Sequence, residues 1–117
     1  LEPDNHIFYS NRSAAYLSGG SIDLAIADGF KCVQMNPSFA KGYVRHGAAL
    51  HEAEKFEEAQ QTFEKGLTVA PGDATLANWL DICKKSLQRL LDISTNSMEA
   101  EVVDDATKSA AVKKEPD

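Results

Sequence analysis

The chain has little that suits a membrane, a disulfide framework or a catalytic centre. No stretch approaches the roughly 20 consecutive apolar residues that a membrane-spanning helix requires, and no signal peptide stands at the start. Leu1 is not an initiator methionine, so targeting segments of a longer protein stay open, and the default expectation is a cytoplasmic location. Only two cysteines occur, Cys32 and Cys83, without metal-ligand spacing, so a disulfide scaffold is not expected. His46 and His51 are five positions apart and do not share a helical face, while His6 belongs to a different helix, so no metal site is expected. No nucleophile stands beside a base, no glycine-rich loop cradles phosphate, and no carboxylate pair has a catalytic setting; neither enzymatic activity nor a cofactor is expected. Basic residues are also few. The 12 Lys plus Arg against 18 Asp plus Glu give a net charge of −6, which argues against nonspecific binding to nucleic acid or anionic membrane while leaving a local basic patch open.

What is present is a period. The four prolines include Pro3, Pro37 and Pro71, and 37 − 3 = 71 − 37 = 34. The same offset lays Tyr9 over Tyr43, Ala14 and Ala15 over Ala48 and Ala49, Ala25 over Ala59, Lys31 over Lys65 and Val33 over Leu67. Early in each unit an aromatic, a small residue and a second aromatic or leucine recur: Tyr9, Ser13 and Tyr16, then Tyr43, Gly47 and Leu50. Later in the second unit come Ala59, Phe63, Gly66 and Pro71, and in the first Ala25, Gly29, Cys32 and Pro37. A 34-residue unit of this pattern resembles the tetratricopeptide helix-turn-helix. Gly29 departs from the bulky residue of that pattern, which leaves the packing there open.

The resemblance implies an all-α solenoid of two antiparallel helix pairs plus a C-terminal capping helix, and 43% apolar residues over 117 positions is compatible with one packed domain. Hairpins are expected over about 6–35 and 39–69, with Gly19-Gly20 breaking the first and Ser21 a candidate N-cap. Pro71-Gly72 closes the second. Asp73 can cap a fifth helix over about 74–93, in which Leu76, Trp79, Leu80, Cys83, Leu87, Leu90 and Leu91 recur at three- and four-residue steps. Such a lone amphipathic helix covers the open face of a last repeat. Trp79 is expected to pack there, with a role as ligand anchor the alternative. Residues 1–93 thus form the expected partial repeat domain. From Ser94 to Asp117 there is no aromatic, and six acids stand against three lysines, which reads as a flexible acidic tail or linker, with a short extension of the fifth helix as the alternative. Leu1-Glu2-Pro3 aligns with the ends of complete units, so a preceding repeat is expected to be missing, with self-association through the open N-terminal repeat face as one way to cover it.

In this family the first helix of each hairpin lines a concave groove. Lys41 and Arg45, four residues apart, share one face of such a helix, and Asn11 holds the position equivalent to Arg45, since 45 − 34 = 11. An amide, an ammonium and a guanidinium in a row suit a carboxylate; taken alone, the two cations also suit ordinary surface pairs. The words Tyr9-Ser10-Asn11-Arg12-Ser13-Ala14-Ala15-Tyr16 and Lys41-Gly42-Tyr43-Val44-Arg45 are similar to segments of Hsp-organising, stress-inducible co-chaperones and their small glutamine-rich relatives. This resemblance spans about residues 1–91. It implies a carboxylate clamp for the C-terminal Glu-Glu-Val-Asp tail of a seventy- or ninety-kilodalton heat-shock chaperone, with Asn11, Lys41 and Arg45 matching three of five clamp positions. The other two belong to the preceding repeat. Arg12 should face away from the groove and pair with an acid or pack its stem, and the acidic cluster Glu52, Glu54, Glu57 and Glu58 reads as a solvated face. In the tail, Glu101-Val102-Val103-Asp104 resembles the chaperone terminus and Asp117 carries a free carboxylate, although an acidic tail produces such words by coincidence. Two other functions stay in view: a repeat scaffold without terminal-carboxylate recognition, and a targeting arm of a fused prolyl isomerase or phosphatase.

Overall fold

The computed structural model describes residues 5–106, with side chains described as far as residue 95. Five helices follow one another: α1 (Asn5–Ser18), α2 (Ile22–Met35), α3 (Ala40–Glu52), α4 (Phe56–Val69) and α5 (Ala74–Ala106). Among the described residues there is no strand. Each of α1 to α4 packs on its neighbour in the chain, and α1 also meets α3, so the first helices of the two hairpins lie side by side. That is the expected pair of stacked hairpins.

The repeat extends to the turns. α1 ends with the Ser21 N–H donating to the Tyr16 carbonyl at 2.9 Å, and α3 ends with the Lys55 N–H donating to the Leu50 carbonyl at the same 2.9 Å. These are six-to-one bonds that close a helix around a left-handed residue. The left-handed residues are Gly20 (φ 86°) and Glu54 (φ 63°), which are themselves equivalent, since 54 − 20 = 34. Ser21 does occupy the N-cap of α2, but its side chain makes no capping bond. Asp73 does cap, its Oδ1 accepting from the Leu76 N–H at 2.9 Å.

The core lies in the second hairpin and the start of α5. Tyr43, Leu50, Ala59, Phe63, Leu76 and Cys83 form one buried cluster, and Phe63 is wholly buried over Gly47, where an added Cβ would stand 2.3 Å from its ring. The first hairpin is joined differently. Ser13 Oγ donates to the Ala25 carbonyl at 2.8 Å, and Gly29, the departure from the repeat pattern, lets α2 approach α3 so closely that a Cβ there would meet the His46 Cα at 2.7 Å.

The chain divides into two compact units between Lys85 and Ser86. α5 runs past residue 93, the expected end of the capping helix, to Ala106, the extension that the sequence left open. Residues 94–106 contain neither glycine nor proline and include Met, Ala and Glu. Nothing in them stops a helix. The rest of the expected tail, including Asp117, lies outside the described residues, as do Pro3 and the side chains of the Glu101–Asp104 word.

Candidate functional site

Small residues on the facing sides of α1 and α3 leave room between the two helices. A cavity of about 270 Å³ is lined by Ser13, Ala14 and Leu17 of α1, by Val44, Arg45 and Ala48 of α3, and by Trp79 of α5. Trp79 does pack as the sequence implied, stacking on Phe63 at 5.6 Å with 18° between planes and meeting His51 edge-on. It also forms a wall of the groove.

Arg45 is half-buried. Its Nε donates to Ser10 Oγ at 3.3 Å, which ties the guanidinium to α1. Ser10 is itself 1% exposed, so its hydroxyl is a fixed anchor rather than a surface group. Burial pushes the Cys32 thiol pKa up, and the positive charge of Arg45 opposes that shift. Lys41, one turn earlier on α3, and Asn11, the residue after Ser10 on α1, are both exposed. The ion pairs among the described residues join Arg12 to Asp28 and Lys85 to Asp81. Neither Lys41 nor Arg45 forms an ion pair with a described carboxylate. The structure thus brings Arg45 to the groove and to α1, and sets Lys41 and Asn11 on the same two helices without direct bonds to it.

Arg12 turns away from the groove. Its Nε and Nη2 donate to the two carboxylate oxygens of Asp28 at 2.7 and 3.1 Å, and its guanidinium lies 5.0 Å from the Phe8 ring centre and 5.5 Å from those of Tyr9 and Tyr16. The histidines pack against aromatics: His6 on Phe39 at 4.8 Å, His46 on Phe30 at 5.6 Å and His51 on Phe56 at 4.9 Å. No group of three or more His, Cys, Asp or Glu among the described residues could hold a metal ion. No described helix is long and apolar enough to cross a membrane.

Sequence reasoning missed Ser10 as the partner of Arg45. A signal for it existed: Ser10 is equivalent to Val44, since 44 − 34 = 10, and a serine replacing an apolar groove residue asks for a polar partner.

A 34-residue period, paired antiparallel helices and a groove along the first helix of each pair define a helical-repeat solenoid. No family model matches the chain. The first TPR of Spaghetti (RPAP3), solved bound to the HSP90 peptide SRMEEVD, is 31% identical with a TM-score of 0.68, covering 74% of this chain and 71% of that one. The second TPR domain of human RPAP3, solved with the HSP70 peptide SGPTIEEVD, is 29% identical with a TM-score of 0.64, covering 68% and 66%. The heat shock protein sti1 homolog of Schizosaccharomyces pombe is 42% identical over 80 residues, 68% of this chain. The chain spans only 14% of that relative's length. The chain belongs to the tetratricopeptide-repeat family.

Proposed function

We propose that this chain is a non-catalytic, cytoplasmic co-chaperone module that holds the free C-terminus of an acidic heat-shock-chaperone tail through Asn11, Lys41 and Arg45. The observation that carries this reading is Arg45, a groove-lining guanidinium fixed by Ser10 and lacking a carboxylate partner among the described residues. With Nε engaged by Ser10, the two Nη groups remain to receive a carboxylate end-on as a fork. Lys41 supplies a mobile second charge, and the Asn11 amide donates one bond while accepting another from the peptide backbone. A terminal aspartate presents two carboxylates to these three donors. The adjoining space beside Ala14, Ala48 and Trp79 takes the apolar residue that precedes it. The tail peptides bound by the two solved relatives both end in Glu-Glu-Val-Asp, which agrees with that order of apolar then acidic.

Calorimetric titration with the peptide SRMEEVD tests the assignment. Arg45→Ala is expected to weaken binding by about 2 kcal/mol or more, roughly 30-fold, because a charged bond partner of a desolvated carboxylate is lost. Amidating the peptide terminus should do the same. Affinity unchanged by both would sink terminal-carboxylate recognition and favour a scaffold that binds along other surfaces.

A further inference from the structure

A second cavity, of about 320 Å³, opens between α2 and α4 and shares no lining residue with the first. Its apolar surface comes from Ile26 and Phe30 of α2 and Leu50 of α3, and its rim carries Lys55, Lys65 and Glu58. Phe30 is a large aromatic left 48% exposed as one wall. At the floor, burial pushes the His46 imidazole below its ordinary pKa, with Glu58 opposing and Lys65 reinforcing that shift. The floor is thus a neutral hydrogen-bonding group.

The repeat explains why there is space here. His46 and Thr62 both line this cavity, and their equivalents one repeat earlier, Arg12 and Asp28, bridge α1 and α2 with a two-pronged ion pair. The second hairpin replaces that bridge with shorter side chains, and the Thr62 hydroxyl turns back to its own helix, donating to the Glu58 carbonyl at 2.9 Å. The charge is unusual too. Two lysines against one glutamate make the rim +1 on a chain of net −6, and neither lysine has an ion-pair partner among the described residues.

We propose that this cleft is a second binding site, for an internal acidic peptide segment that inserts one aromatic or aliphatic side chain against Phe30, Ile26 and Leu50 while its flanking carboxylates meet Lys55 and Lys65. Local charge complementarity selects this occupant: Lys55 and Lys65 at the rim suit flanking carboxylates, and they act at short range, where the more distant charges behind the chain's net −6 are screened. The site needs no free terminus, which separates it from the groove between α1 and α3.

The probe is the peptide Asp-Asp-Phe-Asp-Asp, acetylated and amidated so that it offers no terminal carboxylate, titrated into the isotope-labelled 117-residue chain with amide shifts as readout. Saturable shifts are expected at Phe30, His46, Lys55 and Lys65. The double variant Lys55→Glu with Lys65→Glu should weaken binding at least about 10-fold, and Phe30→Ser, a change at an exposed position, should weaken it independently. Three results would overturn the site: no saturable shift at these residues, shifts confined to the α1 and α3 groove, or affinity indifferent to both variants. Shifts at the same residues on raising protein concentration without peptide would assign the cleft to a second copy and equally overturn the proposal.

Discussion

Asp28 and Arg12 form a pair of unequal exposure, the carboxylate 8% exposed and the guanidinium 42%. The buried partner has more to lose. Arg12→Met removes the charged donor yet retains much of the aliphatic stem, so the variant isolates the effect of stranding the carboxylate. Removing one partner leaves the buried carboxylate uncompensated, so a lower urea-denaturation midpoint at pH 7 is expected. Adding Asp28→Leu should recover most of the loss, because two apolar groups need no partner. A single variant as stable as the parent would show that water or rearrangement satisfies Asp28. Of this pair, the sequence shows only that Arg12 points away from the groove and wants an acid. Which acid depends on the crossing of α1 and α2, and nothing in the spacing marks Asp28, whose repeat equivalent is Thr62. Arg45 is the converse case: its position was legible from the period, while its tether to Ser10 required the packed helices.

At the level of elements, the two inter-helix turns have the same hydrogen bonds but different residues at the left-handed position. An L-residue with a Cβ pays roughly 1–2 kcal/mol there, whereas glycine adopts it freely and gives up about 0.5–1 kcal/mol of chain entropy. Glu54→Gly is therefore expected to stabilise the fold by about 0.5–1 kcal/mol, seen as a higher melting temperature, and Gly20→Ala to destabilise it by a similar amount. If both variants melted with the parent, strain at these turns would be negligible. The helices themselves were readable in the sequence because glycine and proline punctuate them: Gly19-Gly20, Pro37 and Pro71-Gly72 all fall between observed helices. The end of α5 was not readable for the complementary reason. Its apolar pattern stops at Leu91, but a loss of burial does not terminate a helix, and residues 94–106 offer no breaker. Gly29 shows a third limit. Within its own repeat it looks like a defect, and only the approach of His46 from the next repeat gives it a role.

Across the whole solenoid, burial is uneven. The fully buried apolar residues of the first hairpin are Ala25 and Cys32, whereas the second hairpin with the start of α5 buries Tyr43, Leu50, Phe63, Leu76 and Cys83 together with several alanines. Four large apolar residues of α1 and α2, Ile7, Phe8, Leu24 and Phe30, are 40–51% exposed, while others such as Leu17, Ile22 and Ile26 are partly buried. In a repeat array each unit is stabilised by its own contacts and by its neighbours, and a half-exposed large side chain forgoes roughly half of the about 1.5–3 kcal/mol that full burial contributes. The first hairpin should consequently open before the second. Native-state hydrogen exchange is expected to show amides of α1 and α2 protected at least about 10-fold less than those of α3 and α4, a difference of about 1.4 kcal/mol. This gradient runs across the groove, because Ser10, Asn11, Ser13 and Ala14 sit on the weaker helix and Lys41, Arg45 and Ala48 on the stronger. A ligand that needs both helices must then hold the first hairpin closed. With the SRMEEVD peptide at about 100 times its dissociation constant, protection of α1 should rise by as much as about 2.7 kcal/mol until it meets that of α3. A rise in α3 and α4 without one in α1 would mean that the peptide does not engage Asn11's helix, and uniform protection of all four helices in the free chain would contradict the gradient itself.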